Sequence, residues 1–325
     1  MAQTTYLEAI REALWEEMER DPRVFLLGED VGEYGGAFKL TEGFLRRFGP
    51  DRVIDTPIAE AGIVGVAAGA ALMGQRPVAE MQFIDFIADA FGQLTNFVAK
   101  NHWRWGVPLP LVVRGPAGAG VRGGPFHSQS PEAFFFHTPG LKIVAPATAY
   151  DAKGLLKAAI RDPNPVLYLE HKLLYRRIKE DLPAEDFVVP IGEAVVRRPG
   201  RDLTIVTYGA MLHKSLEAAE ALSRDGVEAE VVDLRTLAPL DKRAVIESVR
   251  RTSKAVVVHE DTLTGGIGAE IAAILSDAAF EYLDGPIRRV AAPDAAGVPF
   301  SAPLEDAYLP QTEDIRRACS ELAAY

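Results

Sequence analysis

One carboxylate stands out because it lies at the start of a predicted helix built almost entirely from small apolar residues. Glu60 follows Asp55-Thr56-Pro57, and alanine, glycine and valine dominate the segment from 61 to 71. Thr56 is a favourable N-cap residue and Pro57 suits the first helical position, so the sequence predicts a helix that begins at Pro57. A glutamate in a first turn ordinarily complements the helix dipole, and local rules alone favour that interpretation of Glu60.

A histidine follows a glycine-rich segment. The stretch from Gly115 to Gly124 contains five glycines and leads to His127, after which the sequence continues Ser128-Gln129-Ser130. This composition predicts a long flexible loop, and long loops in compact domains are often functional. A histidine in such a loop can reach a cleft at strand ends, where α/β folds bind ligands. A surface histidine or a satisfied core histidine is the equally open alternative.

Two further segments admit a ligand but have simpler explanations. Gly265-Gly266-Ile267-Gly268 precedes a predicted helix and could bind a phosphate, but it lacks the dinucleotide fingerprint, so a glycine-rich helix start is favoured. Asp162-Pro163-Asn164-Pro165 offers a carboxylate and an amide in a rigid turn; turn formation explains the pattern, and an ion site is the alternative. The P-loop Lys-Ser/Thr, the Gly-x-Ser-x-Gly elbow and His-Glu-x-x-His are absent from the sequence.

The composition is that of a soluble globular protein with a sizeable core. The chain has 325 residues, of which 48% are apolar and 25% charged, and this length favours two domains. The net charge of -11, without a basic stripe, argues against nucleic-acid and anionic-membrane partners. The longest apolar run is too short to span a bilayer, and the N-terminus lacks a basic signal-peptide region. The single cysteine, Cys319, favours a reducing compartment, and we expect a cytoplasmic protein.

Predicted strands and helices alternate along the chain. Strands that are apolar throughout indicate an α/β fold with a parallel sheet covered on both faces. The pattern includes a long helix over 88–103 and a strand over 109–113. A charged, proline-containing segment interrupts the alternation, which restarts after it. We therefore predict a first α/β domain over 1–180, a linker over 181–192 and a smaller α/β domain over 193–325.

Four stretches carry a resemblance to a known family. They run from Leu27 to Val31, from Asp55 to Glu60, from Phe126 to Glu132 and from Pro139 to Val144. In this order they resemble the β subunit of the E1 component of 2-oxo acid dehydrogenases, including pyruvate, branched-chain and acetoin-type members. The resemblance extends over essentially the whole chain. It implies a pyrimidine-binding domain for thiamine diphosphate followed by a transketolase-like C-terminal domain.

The resemblance also implies roles for individual residues. Glu60 would share a proton with the aminopyrimidine ring, so that the ring can take the C2 proton of the thiazolium. An apolar environment suits this task because desolvation raises a carboxyl pKa, whereas the helix dipole lowers it. Phe86 would pack on the ring, and His127 would assist proton transfers or acyl transfer to lipoamide. The other residues expected to line the pocket are Glu29, Ile58 and Gln82. A structural K⁺ would be held, mostly by backbone carbonyls, at Leu111, Ala159, Ile160, Asp162 and Asn164.

A missing motif implies a partner. Many thiamine diphosphate enzymes hold Mg²⁺ and the diphosphate with Gly-Asp-Gly and a later asparagine, and Gly-Asp-Gly is absent from this sequence. The resemblance implies that an E1 α subunit supplies this half in an α2β2 heterotetramer, and that an E2 dihydrolipoyl acyltransferase docks on the C-terminal domain. The expected reaction is decarboxylation of a 2-oxo acid, with the cofactor as electron sink, and reductive acylation of the E2 lipoyl group. An acetoin-cleaving member and a non-catalytic E2-docking subunit are the alternatives, and a glutamate at position 60 favours a working site.

Overall fold

The computed structural model describes residues 3–325, and the chain divides into two units. The first unit runs to Ala117 and resumes from Phe134 to Ile191, and the second comprises Gly118–Ala133 and Gly192–Tyr325. The sequence pattern places residues 118–133 in the first domain, whereas the structure groups them with the second unit. The last crossing between units, after Ile191, falls within the predicted linker segment.

The first unit contains a parallel sheet and a short antiparallel pair. The strands are Thr4–Thr5 (β1), Val24–Gly28 (β2), Val53–Asp55 (β3), Arg76–Glu80 (β4), Val112–Ala117 (β5), Lys142–Val144 (β6), Val166–His171 (β7) and Lys179–Glu180 (β8). The α-helices are Tyr6–Arg20 (α1), Phe44–Phe48 (α2), Glu60–Leu72 (α3), Asn101–Trp105 (α4), Glu132–Phe136 (α5), which continues across the unit boundary, and Ala149–Arg161 (α6). Six strands pair in the order β6-β7-β5-β4-β2-β3, all parallel, and β1 pairs with β8. The predicted parallel sheet is confirmed.

The second unit contains a mixed sheet. The strands of the second unit are Val195–Arg198 (β9), Leu203–Thr207 (β10), Ala229–Asp233 (β11), Thr236–Ala238 (β12), Ala255–Thr262 (β13) and Arg288–Ala292 (β14), and all except β12 form this sheet. Its helices are Met211–Arg224 (α7), Lys242–Thr252 (α8), Ile267–Ala278 (α9), Ala302–Tyr308 (α10) and Thr312–Ala323 (α11). The sheet order is β14-β13-β10-β11-β9, and β9 pairs antiparallel with β11 while the other pairs are parallel. Across residues 3–325, no helix combines the length and the apolar character that crossing a membrane requires.

Two predicted elements of the first unit differ from the structure. The helix predicted over 88–103 is wrong as one α-helix: a 3₁₀ segment spans Ile84–Ala90, a π-helical segment spans Gln93–Val98, and α4 follows. The Thr95 hydroxyl donates to the Phe91 carbonyl at 2.8 Å, and a side chain that bonds back to its own helix in this way competes with regular backbone pairing. The strand predicted over 109–113 lies further along the chain as β5, because proline at 108 and 110 cannot donate to a ladder.

A buried charge network lies in the centre of the first sheet. Arg114 on β5 is 1% exposed and pairs with Glu80 on β4 and with Glu170 on β7. The Tyr175 hydroxyl donates to Glu170 at 2.7 Å. Removal of one partner from a buried ion pair is strongly destabilising, so this network holds three neighbouring strands in one register. Glu80 ends β4, and the network therefore also fixes the strand end that leads to Gln82.

Candidate functional site

Three neighbouring strands of the first unit end next to residues that the sequence analysis selected. Strands β3, β2 and β4 lie side by side and run parallel, and Gly28 pairs with both Asp55 and Glu80 at their ends. The carboxyl ends of parallel strands meet at one edge of a sheet, where α/β folds bind ligands. The residues that follow these strand ends are Glu29, Ile58, Glu60, Gln82 and Phe86.

The chain between β3 and α3 departs from the predicted helix start. The Thr56 amide donates to the Gly28 carbonyl at 2.9 Å, so the extended chain continues past the strand. Helix α3 begins at Glu60 with Ala59 at the N-cap and no side-chain cap. The prediction that Thr56 caps a helix beginning at Pro57 is wrong for this reason. Glu60 is nevertheless in the first turn, where the sequence placed it, and is 8% exposed.

Three hydrogen bonds to two carboxylates fix the loop that carries Glu29. The Asp55 carboxylate accepts hydrogen bonds from the Gly32 amide at 2.6 Å and from the Glu33 amide at 3.3 Å. The Gln82 side-chain amide donates to the Asp30 carboxylate at 2.9 Å. Asp30 has φ +56°, a backbone conformation that non-glycine residues rarely adopt. Asp55 and Asp30 therefore position the site, although the sequence analysis gave neither of them a role.

The electrostatics of this edge favour a bound proton. Glu29 is 7% exposed, and its burial, together with the negative charges of Glu60 and Asp30, raises the pKa of its carboxyl. The apolar side chain of Ile58 is 82% exposed beside these two buried glutamates, and Phe86 is half-buried. Such a surface suits a flat aromatic ring that carries a hydrogen-bonding edge. The buried Thr56 hydroxyl has no hydrogen-bond partner within residues 3–325, which leaves one more polar atom available to a ligand.

The predicted cation site lies around the turn between α6 and β7. The Asp162 carboxylate accepts a hydrogen bond from the backbone amide of Asn164 at 2.8 Å and pairs with the Lys142 ammonium at 2.5 Å. These contacts confirm the predicted turn. They also give the Asp162 side chain a structural role that needs no bound ion. The Arg76 guanidinium donates to the carbonyls of Ile160 at 2.7 Å and Asp162 at 3.2 Å.

Oxygen atoms at this turn retain the capacity to bind a cation. The carbonyl of Leu111 accepts from the Val166 amide at 2.9 Å, and that of Ala159 accepts from the Asp162 amide at 3.3 Å. A carbonyl oxygen has two lone pairs, so one hydrogen bond does not exhaust it. The Asn164 side-chain oxygen is buried and has no hydrogen-bond partner in the described part of the chain. This orphaned oxygen is the feature that a bound cation would explain.

His127 belongs to the second unit and is half-buried. It lies in the segment Gly118–Ser130, which we call the His127 loop. The Gly118 amide donates to the Gln129 carbonyl at 2.9 Å and so joins the two ends of the loop. The sequence predicted a flexible loop from its glycine content, but this closed base gives it a defined shape.

A buried acid cluster that the sequence analysis missed follows the His127 loop. The Tyr208 hydroxyl donates to the Glu132 carboxyl at 2.7 Å. Burial, together with the nearby charge of Asp261, raises the pKa of Glu132 to about 8. Burial also raises the pKa of Asp261, and the charge of Glu260 adds to this effect. Glu132 stood inside one of the quoted stretches, and its position directly after Ser130-Pro131 was the only available signal.

The Gly265–Gly268 segment proves to be packing around a histidine. His259 on β13 is fully buried and stacks on Tyr208 with a ring separation of 6.5 Å. A Cβ atom at Gly266 or Gly268 would lie 2.5 or 2.7 Å from the His259 ring. Burial lowers the pKa of His259 to about 4, so the ring is neutral at physiological pH. Helix α9 begins at Ile267 after Gly266, which confirms the glycine-rich helix start, and these glycines need no phosphate to explain them.

Comparison with known proteins gives consistent matches over both units. The family model described as "Transketolase, pyrimidine binding domain" matches residues 2–177, and "Transketolase, C-terminal domain" matches residues 192–315. The 2-oxoisovalerate dehydrogenase subunit beta of Bacillus subtilis is 51% identical, with 100% of each chain covered. The pyruvate dehydrogenase E1 component subunit beta of the same organism is 46% identical, with 97% of each chain covered. A solved structure described as "Split gene transketolase, inactive beta4 tetramer" is 27% identical to this chain and superposes with a TM-score of 0.80. The match covers 99% of each chain.

The raised pKa of Glu132 predicts how stability depends on pH. Between the ordinary carboxyl value of 4.5 and about 8, the folded chain binds one proton more at Glu132 than the unfolded chain. The free energy of unfolding therefore falls as the pH rises through this range, by at most about 1.4 kcal/mol per pH unit. We expect Glu132→Gln to remove this part of the pH dependence in denaturant titrations at pH 6 and pH 8.

The control for this experiment is Glu281→Gln, which changes an exposed glutamate and should retain the pH dependence of the wild type. If Glu132→Gln loses as much stability between pH 6 and pH 8 as the wild type does, the assignment of a bound proton to Glu132 is wrong.

Proposed function

This chain belongs to the β subunits of the 2-oxo acid dehydrogenase E1 component, and we propose that its first unit binds the aminopyrimidine ring of thiamine diphosphate. The E1 enzymes of this family decarboxylate a 2-oxo acid, of the pyruvate or branched-chain type, and reductively acylate the lipoyl group of E2. The observation that carries the proposal is the pair of buried, electrostatically coupled carboxylates Glu29 and Glu60, with the exposed apolar side chain of Ile58 two residues before Glu60 in the chain.

The residues at this edge have distinct parts in the proposed site. Bound thiamine diphosphate supplies the electron sink that amino-acid side chains lack. Glu60, which is 8% exposed, would share a proton with a nitrogen of the aminopyrimidine ring. Phe86 and Ile58 pack against the ring, and Gln82 lines the pocket where Asp30 holds its amide. Burial and the neighbouring charge of Glu60 raise the pKa of the Glu29 carboxyl, so Glu29 would bring a bound proton to the pocket more readily than an exposed glutamate.

Other subunits complete the proposed enzyme. Because Gly-Asp-Gly is absent from the sequence, we assign Mg²⁺ and the cofactor diphosphate to an E1 α subunit in an α2β2 heterotetramer. The E2 acyltransferase docks on the second unit, and His127 assists proton transfers or acyl transfer to its lipoyl group. We place this enzyme in the cytoplasm, a reducing compartment in which the free thiol of Cys319 persists.

A K⁺ ion at the turn between α6 and β7 is the second part of the proposal. It would be held by the side-chain oxygen of Asn164, which lacks another partner in the described residues, and by carbonyls whose second lone pairs remain available. The carbonyl ligands are those of Leu111, Ala159, Ile160 and Asp162. The ion would fix the end of α6 against β7 and would stabilise the first unit without touching the reaction.

The divided site predicts how the isolated chain behaves. Without an α subunit, the chain should bind thiamine diphosphate weakly or not at all, because it provides only the pyrimidine half. Isothermal titration calorimetry on the chain alone and on the α2β2 enzyme tests this, with sedimentation to record the oligomeric state of each sample. Tight stoichiometric binding by the chain alone would contradict the division of the site.

The proton-sharing role of Glu60 predicts a kinetic effect. In the assembled enzyme, Glu60→Gln should slow exchange of the cofactor C2 proton by about 100-fold or more, the usual size of an acid–base contribution. NMR of the bound cofactor in D₂O measures this exchange. Glu33→Gln, which alters an exposed glutamate near the site, is the control and should exchange at the wild-type rate. Near-normal exchange in Glu60→Gln would show that another group carries the proton.

The proposed ion predicts a cation-specific stabilisation. At equal ionic strength, the assembled enzyme should unfold at a higher temperature in KCl than in choline chloride, because binding to the folded state stabilises it by about 2.7 kcal/mol at 100 times Kd. Asn164→Ala should remove the difference between the two salts, whereas Asn96→Ala, at an exposed position, should retain it. Equal unfolding temperatures of the wild type in both salts would exclude the ion.

A further inference from the structure

We propose that two buried carboxylates of the second unit, Glu260 and Glu305, are positioning residues that hold the backbone of the His127 loop. They thereby place the His127 side chain for its proposed part in proton transfer or acyl transfer. This inference rests on the proposed role of His127. Contacts within the second unit hold this loop at its start, its middle, its tip and its end.

Glu305 on α10 holds the middle of the loop. Its side chain is fully buried, and one carboxylate oxygen accepts from the Gly120 amide at 3.0 Å and from the Arg122 amide at 3.2 Å. The other oxygen pairs with the Arg122 guanidinium. Arg122 has φ +64°, a conformation that an arginine adopts only where its surroundings stabilise it. Glu305 supplies that stabilisation through three contacts with one short segment.

Glu260 on β13 holds both ends of the loop. It is 7% exposed, and its carboxylate accepts from the Ala119 amide at 2.6 Å. The same oxygen lies 3.5 Å from the Ser130 hydroxyl at the end of the loop. Hydrogen bonds with an ionised acceptor are roughly twice as strong as neutral ones. Glu260 therefore reinforces the base that Gly118 and Gln129 close.

The tip of the loop packs against the segment before α10. The Phe300 ring lies over Gly124, where a Cβ atom would overlap it, and a Cβ atom at Gly297 would lie 2.6 Å from Pro125. Both contacts need glycine because of this close approach. They fix the two residues that come shortly before His127. The loop is thus held at its start, middle, tip and end; Glu260 holds the start and the end, and Glu305 holds the middle.

Two carboxyl groups near the loop allow a matched comparison. Asp306 also contacts the Arg122 guanidinium, at 3.1 Å, but it is exposed and accepts no backbone amide of the loop in the described residues. Glu305→Gln removes the charge that holds Gly120 and Arg122, while Asp306→Asn removes a charge from the same arginine. The two variants therefore separate loss of backbone anchoring from loss of charge.

The first test measures anchoring without reference to activity. In the assembled α2β2 enzyme, hydrogen–deuterium exchange at the amides of Gly120 and Arg122 should rise at least about 10-fold in Glu305→Gln, as loss of hydrogen bonds to a charged acceptor predicts. Asp306→Asn should change it less than about 2-fold. Glu260→Gln is a second, independent variant and should raise exchange at Ala119. Wild-type exchange in both glutamine variants would overturn the proposal.

The second test links the anchors to His127. With saturating lipoyl domain and varied 2-oxo acid, Glu305→Gln should lower kcat for lipoyl acylation and leave KM for the 2-oxo acid unchanged. The double variant with His127→Ala should be no slower than His127→Ala alone, because both changes act on one group. Losses that multiply in the double variant would overturn the positioning role while His127 keeps its own. A wild-type rate in His127→Ala would instead show that the proposed role of His127 is wrong, and the positioning role would fall with it.

Discussion

The burial of Glu29 and Glu60 at one edge of a parallel sheet is the constraint on which the first unit depends. A carboxylate that leaves water loses solvation, and a second negative charge nearby increases the cost. The raised pKa of Glu29 expresses that cost directly. In the proposed site a proton shared with a ring nitrogen would offset this cost, so the unfavourable placement of these two acids would also be what suits them to bind the ring. Backbone pairing of β2 with β3 and β4 keeps the acids at this edge, and Arg114 holds the end of β4 through Glu80.

Carboxylates that accept backbone amides are used repeatedly to fix the functional loops. Asp55 holds Gly32 in the loop that carries Glu29, and Glu260 and Glu305 hold the start and the middle of the His127 loop. An ionised carboxylate accepts a strong hydrogen bond from a backbone amide. The neighbouring glycines can then form tight turns around that fixed point. This arrangement gives glycine-rich segments a defined shape, which glycine content alone does not provide.

The sequence predicts elements well where local rules decide them and poorly where distant partners do. Helix α6 begins where local rules place a helix start, because the Thr148 side chain accepts from the backbone amide of Asp151 three residues later. The start of α3 was missed because the Thr56 amide bonds to Gly28, a strand partner that local rules do not include. The pocket residues came from resemblance to a family rather than from spacing. Glu260 and Glu305 could not be found, because they lie 141 and 185 positions from the amides they hold.

Glu60 is proposed to share a proton with the aminopyrimidine ring of a cofactor bound between this chain and an α subunit. The most direct measurement is the ¹⁵N chemical shift of the ring nitrogens, recorded with labelled thiamine diphosphate bound to the wild-type α2β2 enzyme and compared with the free cofactor at neutral pH. If Glu60 shares a proton with the ring, the signal of one ring nitrogen should shift on binding towards the value of its protonated form. A bound shift equal to that of the neutral free cofactor would contradict it.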